Sequence, residues 1–280
     1  GESWELSAHP DGQSRIAEGY YKGMLFNDYL SIIGKEALGW KCQAQDRFPV
    51  LIKFIDAKQA LSIQIHPDDE YALENENEYG KNEMWYVLDA EPGAYLYCGL
   101  SRASSKEEIE ERIKNNTITE ILNKIEVKKG DVVMVKAGTI HAIGAGIFIC
   151  EIQQNSNTTY RVYDYNRRDK KGNTRPLHVE KAIAVSNLSK APEIQQESDE
   201  SNAILAQCEY FTVREITVAD TASIDLDTTS FRSLIVTEGS AKLEINHETL
   251  SLEKGNSIFV PAQSGRLNIY GNCTLIMSQV

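Results

Sequence analysis

Through most of the chain apolar and polar residues alternate in short runs broken by turn residues, a pattern of half-buried strands rather than of amphipathic helices. VLIKFID (50–56), LSIQIH (61–66), MWYVLD (84–89), DVVMV (131–135) and IFICEI (147–152) have strand length and are rich in β-branched and aromatic residues. Further along come FTVREITV, FRSLIVTEG, AKLEIN, NSIFVPA and RLNIYG, spaced by turn residues as in a small all-β domain. Helical spacing interrupts this pattern in few places. Ser105 followed by Glu108, and Thr117 followed by Glu120, read as capping-box starts with Ile109, Ile113, Ile121 and Leu122 at helical spacing, which predicts a helical insertion near 104–124. PLHVEKAIAV (176–185), opening on Pro176, predicts a closing helix, and the stretch from Phe26 to Ile33 predicts another.

Between Ser189 and Asn202 the apolar periodicity disappears and the chain turns polar and acidic, so a linker is expected over 191–203, between a domain at 1–190 and a second at 204–280. A length of 280 residues fits two domains. An internal repeat relates them: GDVVMVKAGTIHAIG starts at Gly130 and GNSIFVPAQSGRLNIYG at Gly255, each a glycine, a strand, a short turn and a second strand. His141 follows Gly130 at the spacing at which Arg266 follows Gly255, so a histidine in the first copy has no counterpart in the second. The expected fold class is therefore mostly β, with two consecutive β-barrels and a short helical insertion in the first.

Composition narrows the partners. Hydrophobic residues at 41% and charged residues at 25% are enough for a real core and ordinary for a globular chain. A net charge of -12 with pI near 5.0 argues against a nucleic-acid or anionic-membrane surface, both of which favour basic patches. No apolar run approaches the roughly 18 residues needed to cross a bilayer, and no charged-then-apolar signal segment opens the chain, so a cytoplasmic protein is expected. Cys42, Cys98, Cys150, Cys208 and Cys273 are widely spaced with no C-x-x-C pair and read as reduced, buried small hydrophobes. The sequons at Asn115 and Asn157 are then chance matches. The chain opens at Gly1 without a methionine, and an upstream segment is expected to have been removed or left out.

The chemistry sits on the strand alternation. In LSIQIH, Leu61, Ile63 and Ile65 point one way and Ser62, Gln64 and His66 the other, because a strand has period two. The same parity puts Lys81, Glu83 and Trp85 on a common side if that strand begins early, and His141 follows the Gly138 turn. Two imidazoles, a carboxylate and an amide oxygen make an N/O donor set for a divalent metal such as zinc. His9, His178 and His247 have no such company and read as structural or exposed.

Gly130 to His141 fits the G-x5-P-x-G-x2-H motif of the cupin superfamily, with Lys136 in place of the proline. QIHPDDEYA, GKNEMWYVLDAEPGA, KAGTIHAIG, QQNSNTTYRVYDYNR and the opening GESWELSAHPDG, in that family's order, closely resemble type I mannose-6-phosphate isomerases over nearly all of residues 1–190. The second domain is similar to that family's degenerate second cupin. The resemblance implies two consecutive cupin jelly-roll domains, the first catalytic, and the interconversion of mannose 6-phosphate and fructose 6-phosphate through a cis-enediol with one zinc ion per chain. It implies Gln64, His66, Glu83 and His141 as metal ligands, Arg161 as the active-site arginine and Lys81 as a second catalytic residue. Ser62, on the ligand face, and Lys136, beside His141, are candidates for substrate contact. Arg161 suits an enediolate oxygen or a phosphate because its charge is permanent and its donors form a planar fork. Near a cation the Lys81 pKa is expected to fall, which suits a proton shuttle, although phosphate or hydroxyl binding suits it as well. A sugar phosphate is the expected partner, and the sequence leaves the oligomeric state open. Two other readings stand beside this one: an iron dioxygenase, since two histidines and a carboxylate also suit non-haem iron, and a non-catalytic sugar-binding cupin.

Overall fold

The computed structural model describes residues 1–192 and 203–280, so nearly all of the expected linker at 191–203 lies outside the described residues. The chain divides into two compact units, Gly1–Ser3 with Phe54–Gln196, and Trp4–Lys53 with Glu197–Val280. The first two sheets use β1 (Glu2–Leu6), β2 (Val50–Ala57), β3 (Ile63–Ile65), β4 (Glu83–Ala90), β5 (Tyr95–Leu100), β6 (Leu122–Glu126), β7 (Val132–Val135), β8 (His141–Ile143), β9 (Ile147–Gln154) and β10 (Tyr160–Tyr163). The helices are α1 (Phe26–Ile33), α2 (Asp69–Glu76), α3 (Lys106–Lys114) and α4 (Val179–Val185). Strand order is β1-β2-β9-β4-β7 in one sheet and β10-β3-β8-β5-β6 in the other.

Alternation explains how the first unit is filled. Trp85, Val87, Val133 and Ile149 from one sheet pack with Leu96, Cys98 and Ile143 from the other in one buried cluster. The opposite alternation of the second sheet, including Ile63, Ile65, Ala142 and Val162, is buried with Ile109 and Ile113 of α3 and Ala182 of α4. Each fully buried isoleucine there contributes about 1.5–3 kcal/mol relative to exposure. Covering Ile63 and Ile65 with helices leaves Gln64, between them, on the inner face.

Two helical expectations are adjusted and one helix was not expected. Ser105 does cap α3, accepting from Glu108 N at 3.2 Å. Thr117 makes no side-chain cap; Ile118–Ile121 is a single 3-10 turn, and the chain enters β6 at Leu122. Glu120 instead accepts from Arg112 at 2.9 Å, which takes the side chain away from the cap. The closing helix begins at Val179 rather than at Pro176, because the Pro176 carbonyl accepts from Arg161 and His178 N donates to the Arg161 carbonyl. α2 was not visible as a period: Ala72 is its buried residue, and its start is set by the Asp68 side chain accepting from Tyr71 N at 2.9 Å.

The second unit is built from β11 (Ile204–Gln207), β12 (Thr212–Leu226), β13 (Arg232–Ile245), β14 (Glu248–Glu253), β15 (Ser257–Val260) and β16 (Gly265–Gln279), in the order β11-β12-β16-β13-β14 with β15 paired to β13. FRSLIVTEG and AKLEIN, expected as two strands, are one continuous β13, bent through an irregularity at Val236/Glu238. Gly239 permits that bend: it has φ 70°, and a Cβ there would lie 2.1 Å from the Asn272 carbonyl oxygen. Trp4–Lys53 groups with this unit and not with the rest of 1–190. Phe26 meets Phe259 at 5.1 Å between ring centroids and Phe48 meets Phe231 at 5.0 Å, while Ala262 N donates to Ala37 O at 2.8 Å. Periodicity reports that a face is buried; it does not report which surface covers it.

The internal repeat is a repeat of structure through its turn. Gly130 N donates to Val87 O and Val87 N to Asp131 O, at 2.8 and 2.9 Å; Gly255 N donates to Val236 O and Val236 N to Asn256 O, at 2.8 and 3.0 Å. In the strands that follow, Glu83 pairs with Val135 where Arg232 pairs with Val260, so Arg232 holds the Glu83 position of the second unit. The match of His141 to Arg266 ends there. Arg266 is exposed and bonds the exposed Asp225 at 2.8 Å, while Leu267 and Ile269 take the inward alternation of β16.

Candidate metal centre

On the inner face of the second sheet, one row of cross-strand partners runs Arg161, Gln64, His141, Cys98, from β10 through β3 and β8 to β5. Residues directly opposite on neighbouring strands share a face. From the other sheet, Glu83 and Trp85 of β4 stand opposite Gln153 and Glu151 of β9. At this end of the sandwich the inward alternation therefore changes from apolar to polar: Ile147 and Ile149 give way to Glu151 and Gln153, and Val87 and Trp85 to Glu83.

His66, Glu83 and His141 are buried and offer ligand atoms that all lie within 4.8 Å of one another. His66 Nε2 is 3.5 Å from Glu83 Oε2, and His141 Nε2 is 3.3 Å from Glu83 Oε1. Donors about 2.0–2.1 Å from a tetrahedral zinc are about 3.3 Å apart, so the spacing suits such an ion. Each imidazole is oriented by a carbonyl: His66 Nδ1 donates to Thr158 O at 2.8 Å and His141 Nδ1 to Thr139 O at 2.9 Å. A carbonyl oxygen can only accept, so Nδ1 carries the proton in both rings and both Nε2 lone pairs face the carboxylate, as metal ligation needs. Burial pushes the His141 pKa down to about 4, against the bond to Thr139 and with the nearby Lys81 charge. Gln64 lies with its amide nitrogen 3.4 Å from His141 Nε2, and a half-turn of the amide brings its oxygen to the same place.

Lys81 precedes β4, yet its ammonium is buried against Glu83, 3.2 Å from His66 Nε2 and 3.7 Å from Glu151 Oε1. Burial lowers its pKa, and Glu151 and Glu83 together outweigh burial, so the protein's own groups hold it above the usual lysine range. The downward shift expected from the sequence needs the charge of a bound cation. Ser62 is buried on the alternation of Gln64. Lys136 is exposed in the turn before His141 and stands outside the group.

Arg161 is half-buried; one guanidinium nitrogen donates to Pro176 O at 3.1 Å, and its buried Nε has no acceptor among the described residues. Burial and the neighbouring Arg175 charge lower its pKa. Close by, Arg167 and Arg175 share the single carboxylate of Asp164. Three guanidiniums around one carboxylate leave a cationic cluster beside the centre, in a chain whose net charge is -12.

Sequence reading missed Glu151. It is buried, accepts from Trp85 Nε1 at 3.0 Å and faces Lys81. The available signal was a carboxylate inside the apolar run IFICEI, since a buried glutamate is rare unless partnered. In the second unit the Glu83 position is the buried Arg232, which donates to the Ser230 and Phe231 carbonyls, and the inner face around it is aliphatic.

Comparisons with known proteins bear on this centre. Residues 1–94 match the model of the type I phosphomannose isomerase catalytic domain, and residues 201–280 that of the mannose-6-phosphate isomerase cupin domain. The chain is 37% identical to the mannose-6-phosphate isomerase ManA of Bacillus subtilis, over 100% of its own length and 89% of that protein. It is 36% identical to the mannose-6-phosphate isomerase of Streptococcus mutans, over 99% of its own length and 88% of that protein. The crystal structure of the mannose 6-phosphate isomerase from Bacillus subtilis superposes with a TM-score of 0.89 at 38% identity, over 100% of this chain and 90% of that one. With cupin architecture, a buried His–Glu–His set and full-length relatives of this kind, the chain belongs to the type I mannose-6-phosphate isomerase family.

Proposed function

We propose that this chain is a zinc-dependent aldose–ketose isomerase that interconverts mannose 6-phosphate and fructose 6-phosphate through a cis-enediol. The observation that carries the reading is the buried His66, Glu83 and His141 set, held in the right tautomers in a chain of this family. His66, Glu83, His141 and the oxygen of Gln64 would hold one zinc ion per chain. Such an ion supplies a Lewis acid that polarises a carbonyl and stabilises an enediolate.

The remaining roles fall to this chain's own residues. Lys81 and Glu151 are a buried titratable pair beside the ligands, and moving a proton between C1 and C2 requires a group of that kind within reach. Arg161 stands in the same row as Gln64 and His141, and its Nε, without an acceptor among the described residues, suits a developing oxyanion or the phosphate, with the charge of Arg167 and Arg175 behind it. Ser62 from the inner face and Lys136 from the rim would contact the sugar phosphate. A cationic cluster of this kind suits a phosphosugar better than an oxygen-activating iron site.

The test is a coupled isomerase assay on the purified chain, before and after chelation and after zinc is restored. Turnover that disappears with chelation and returns with zinc supports the reading; oxygen uptake without isomerisation overturns it. Arg161→Lys keeps the charge and loses the planar fork, so turnover should fall with the metal retained. Losing one well-aimed donor in a dry site costs on the order of 3 kcal/mol of barrier, roughly a hundredfold in rate. A phosphate anchor raises mainly KM and a transition-state contact lowers mainly kcat, so steady-state kinetics also tells the two roles apart.

A further inference from the structure

Asn82 stands between Lys81 and Glu83, and alternation turns its side chain away from the centre they face. A half-buried amide has both a donor and an acceptor end to satisfy. Asn82 Oδ1 accepts from Ala137 N at 3.0 Å, and Asn82 Nδ2 donates to Gln154 Oε1 at 2.8 Å. The same Gln154 oxygen accepts from Asn82 N at 2.8 Å, and Gln154 N returns a bond to Asn82 O at 3.0 Å. Gln154 Nε2 then donates to Asp69 Oδ1 at 2.9 Å, which also accepts from Gly80 N at 2.8 Å. Each amide is fixed in orientation, because its oxygen meets N–H groups and its nitrogen meets an acceptor.

These bonds join the four segments that carry the centre. Asp69 follows His66; Asn82 lies inside Lys81–Glu83; Ala137 lies in the turn that leads through Thr139 to His141; Gln154 ends the strand of Glu151. Two backbone bonds run alongside, Lys81 N to Pro67 O at 3.0 Å and Gly138 N to His66 O at 2.8 Å. The packing is close enough that a Cβ on Gly80 would lie 2.4 Å from the Asp68 carbonyl carbon. Glu83 belongs to β4 of one sheet and His141 to β8 of the other, and His66 directly follows β3 of that second sheet. A site of this kind needs ligand positions held within about 0.5 Å. The bond from Gln154 to Asp69 ties the end of β9 to the start of α2, the helix that follows His66.

We propose that Asn82, Gln154 and Asp69 act as one positioning network that sets Lys81 and Glu83 against the two imidazoles, and so tunes metal affinity and turnover without touching the ion or the substrate. The inference rests on the metal-centre reading above. The test compares Asn82→Ala, Gln154→Ala and the double variant, with Asn246→Ala as a control; Asn246 lies in the turn between β13 and β14 of the second unit, where its amide donates to Ser264 O at 3.2 Å, and its loss should leave zinc affinity unchanged. Zinc affinity is read by competition with a chelator, alongside kcat, KM and the urea midpoint of the metal-free chain. Each single variant should weaken zinc about 10–100-fold and lower kcat at saturating zinc with KM little changed. The double variant should be no worse than the poorer single one, because groups that act as a unit are not additive. Asn82→Asp keeps the volume and the bond to Ala137 while setting two acceptors face to face, so it reports the same loss if the alanine variants fold badly. Zinc affinity and kcat within twofold of the parent, with only the urea midpoint lowered, overturn the network, as do additive losses in the double variant. Because zinc affinity is read without substrate, a parent chain that binds zinc and loses it in the variants but shows no isomerisation overturns the proposed reaction and leaves the network standing.

Discussion

Glu83→Gln should lose zinc by more than the roughly 10–100-fold that removal of an outer partner costs, and turnover should fall with it. Glu83 is fully buried, reaches both imidazoles with its two oxygens, and is the one carboxylate of the three groups placed to hold a metal. Glutamine keeps the shape, so the strand and its packing survive. What disappears is the negative charge opposite a dication in a site where water cannot replace it, which makes electrostatics the dominant loss. Chelator competition reads the affinity, and isomerisation at saturating zinc reads the chemistry. An unchanged affinity would mean that the carboxylate serves Lys81 and not a metal.

Acid should destabilise the metal-free chain through His141. His141 is neutral when folded, with its pKa pushed by burial from 6.5 to about 4. Above pH 6.5 the ring is neutral in both states and contributes nothing to the pH dependence. Between 6.5 and about 4 the unfolded chain takes up a proton that the folded chain refuses, so stability falls as pH falls, and the change levels off below the folded value. At about 1.4 kcal/mol per pH unit, this one group costs about 3 kcal/mol across the window. Zinc requires the neutral ring and widens the gap, so holo protein should release its ion on the acidic side. Urea unfolding of the metal-free chain from pH 7 to pH 4 measures the first effect; a flat profile would show that His141 is protonated in place. Replacing His141 by Gln should remove its share of the slope.

Alternation along LSIQIH and MWYVLD was enough to separate the faces of β3 and β4, because a strand puts successive side chains on opposite sides whatever surrounds it. It placed Gln64 and His66 together and Glu83 beside Trp85, and motif order supplied the family. Capping chemistry found α3, since Ser105 and Glu108 act within one turn. Local rules failed where the deciding partner was distant in sequence. Glu120 went to Arg112 instead of a cap, and Pro176 was pinned by Arg161 fifteen residues away, which moved the start of α4.

What the sequence determined by itself was therefore the mostly β character, the period of each strand and the residue types able to hold a divalent ion. Only the tertiary structure decided which parts meet. Trp4–Lys53 packs with the second unit because Phe26 and Phe48 find Phe259 and Phe231 there, and no periodicity encodes that choice. Arg266, counted eleven residues from Gly255, falls on the outer face because Leu267 and Ile269 take the inner one, and a shift of one residue reverses every side chain of a strand. Glu151 joined the centre only when β9 paired with β4 and set it opposite Trp85, within reach of Lys81. Burial and charge act through space, so a residue's titration and its partner are fixed by the fold that surrounds it, while its alternation is fixed by the chain alone.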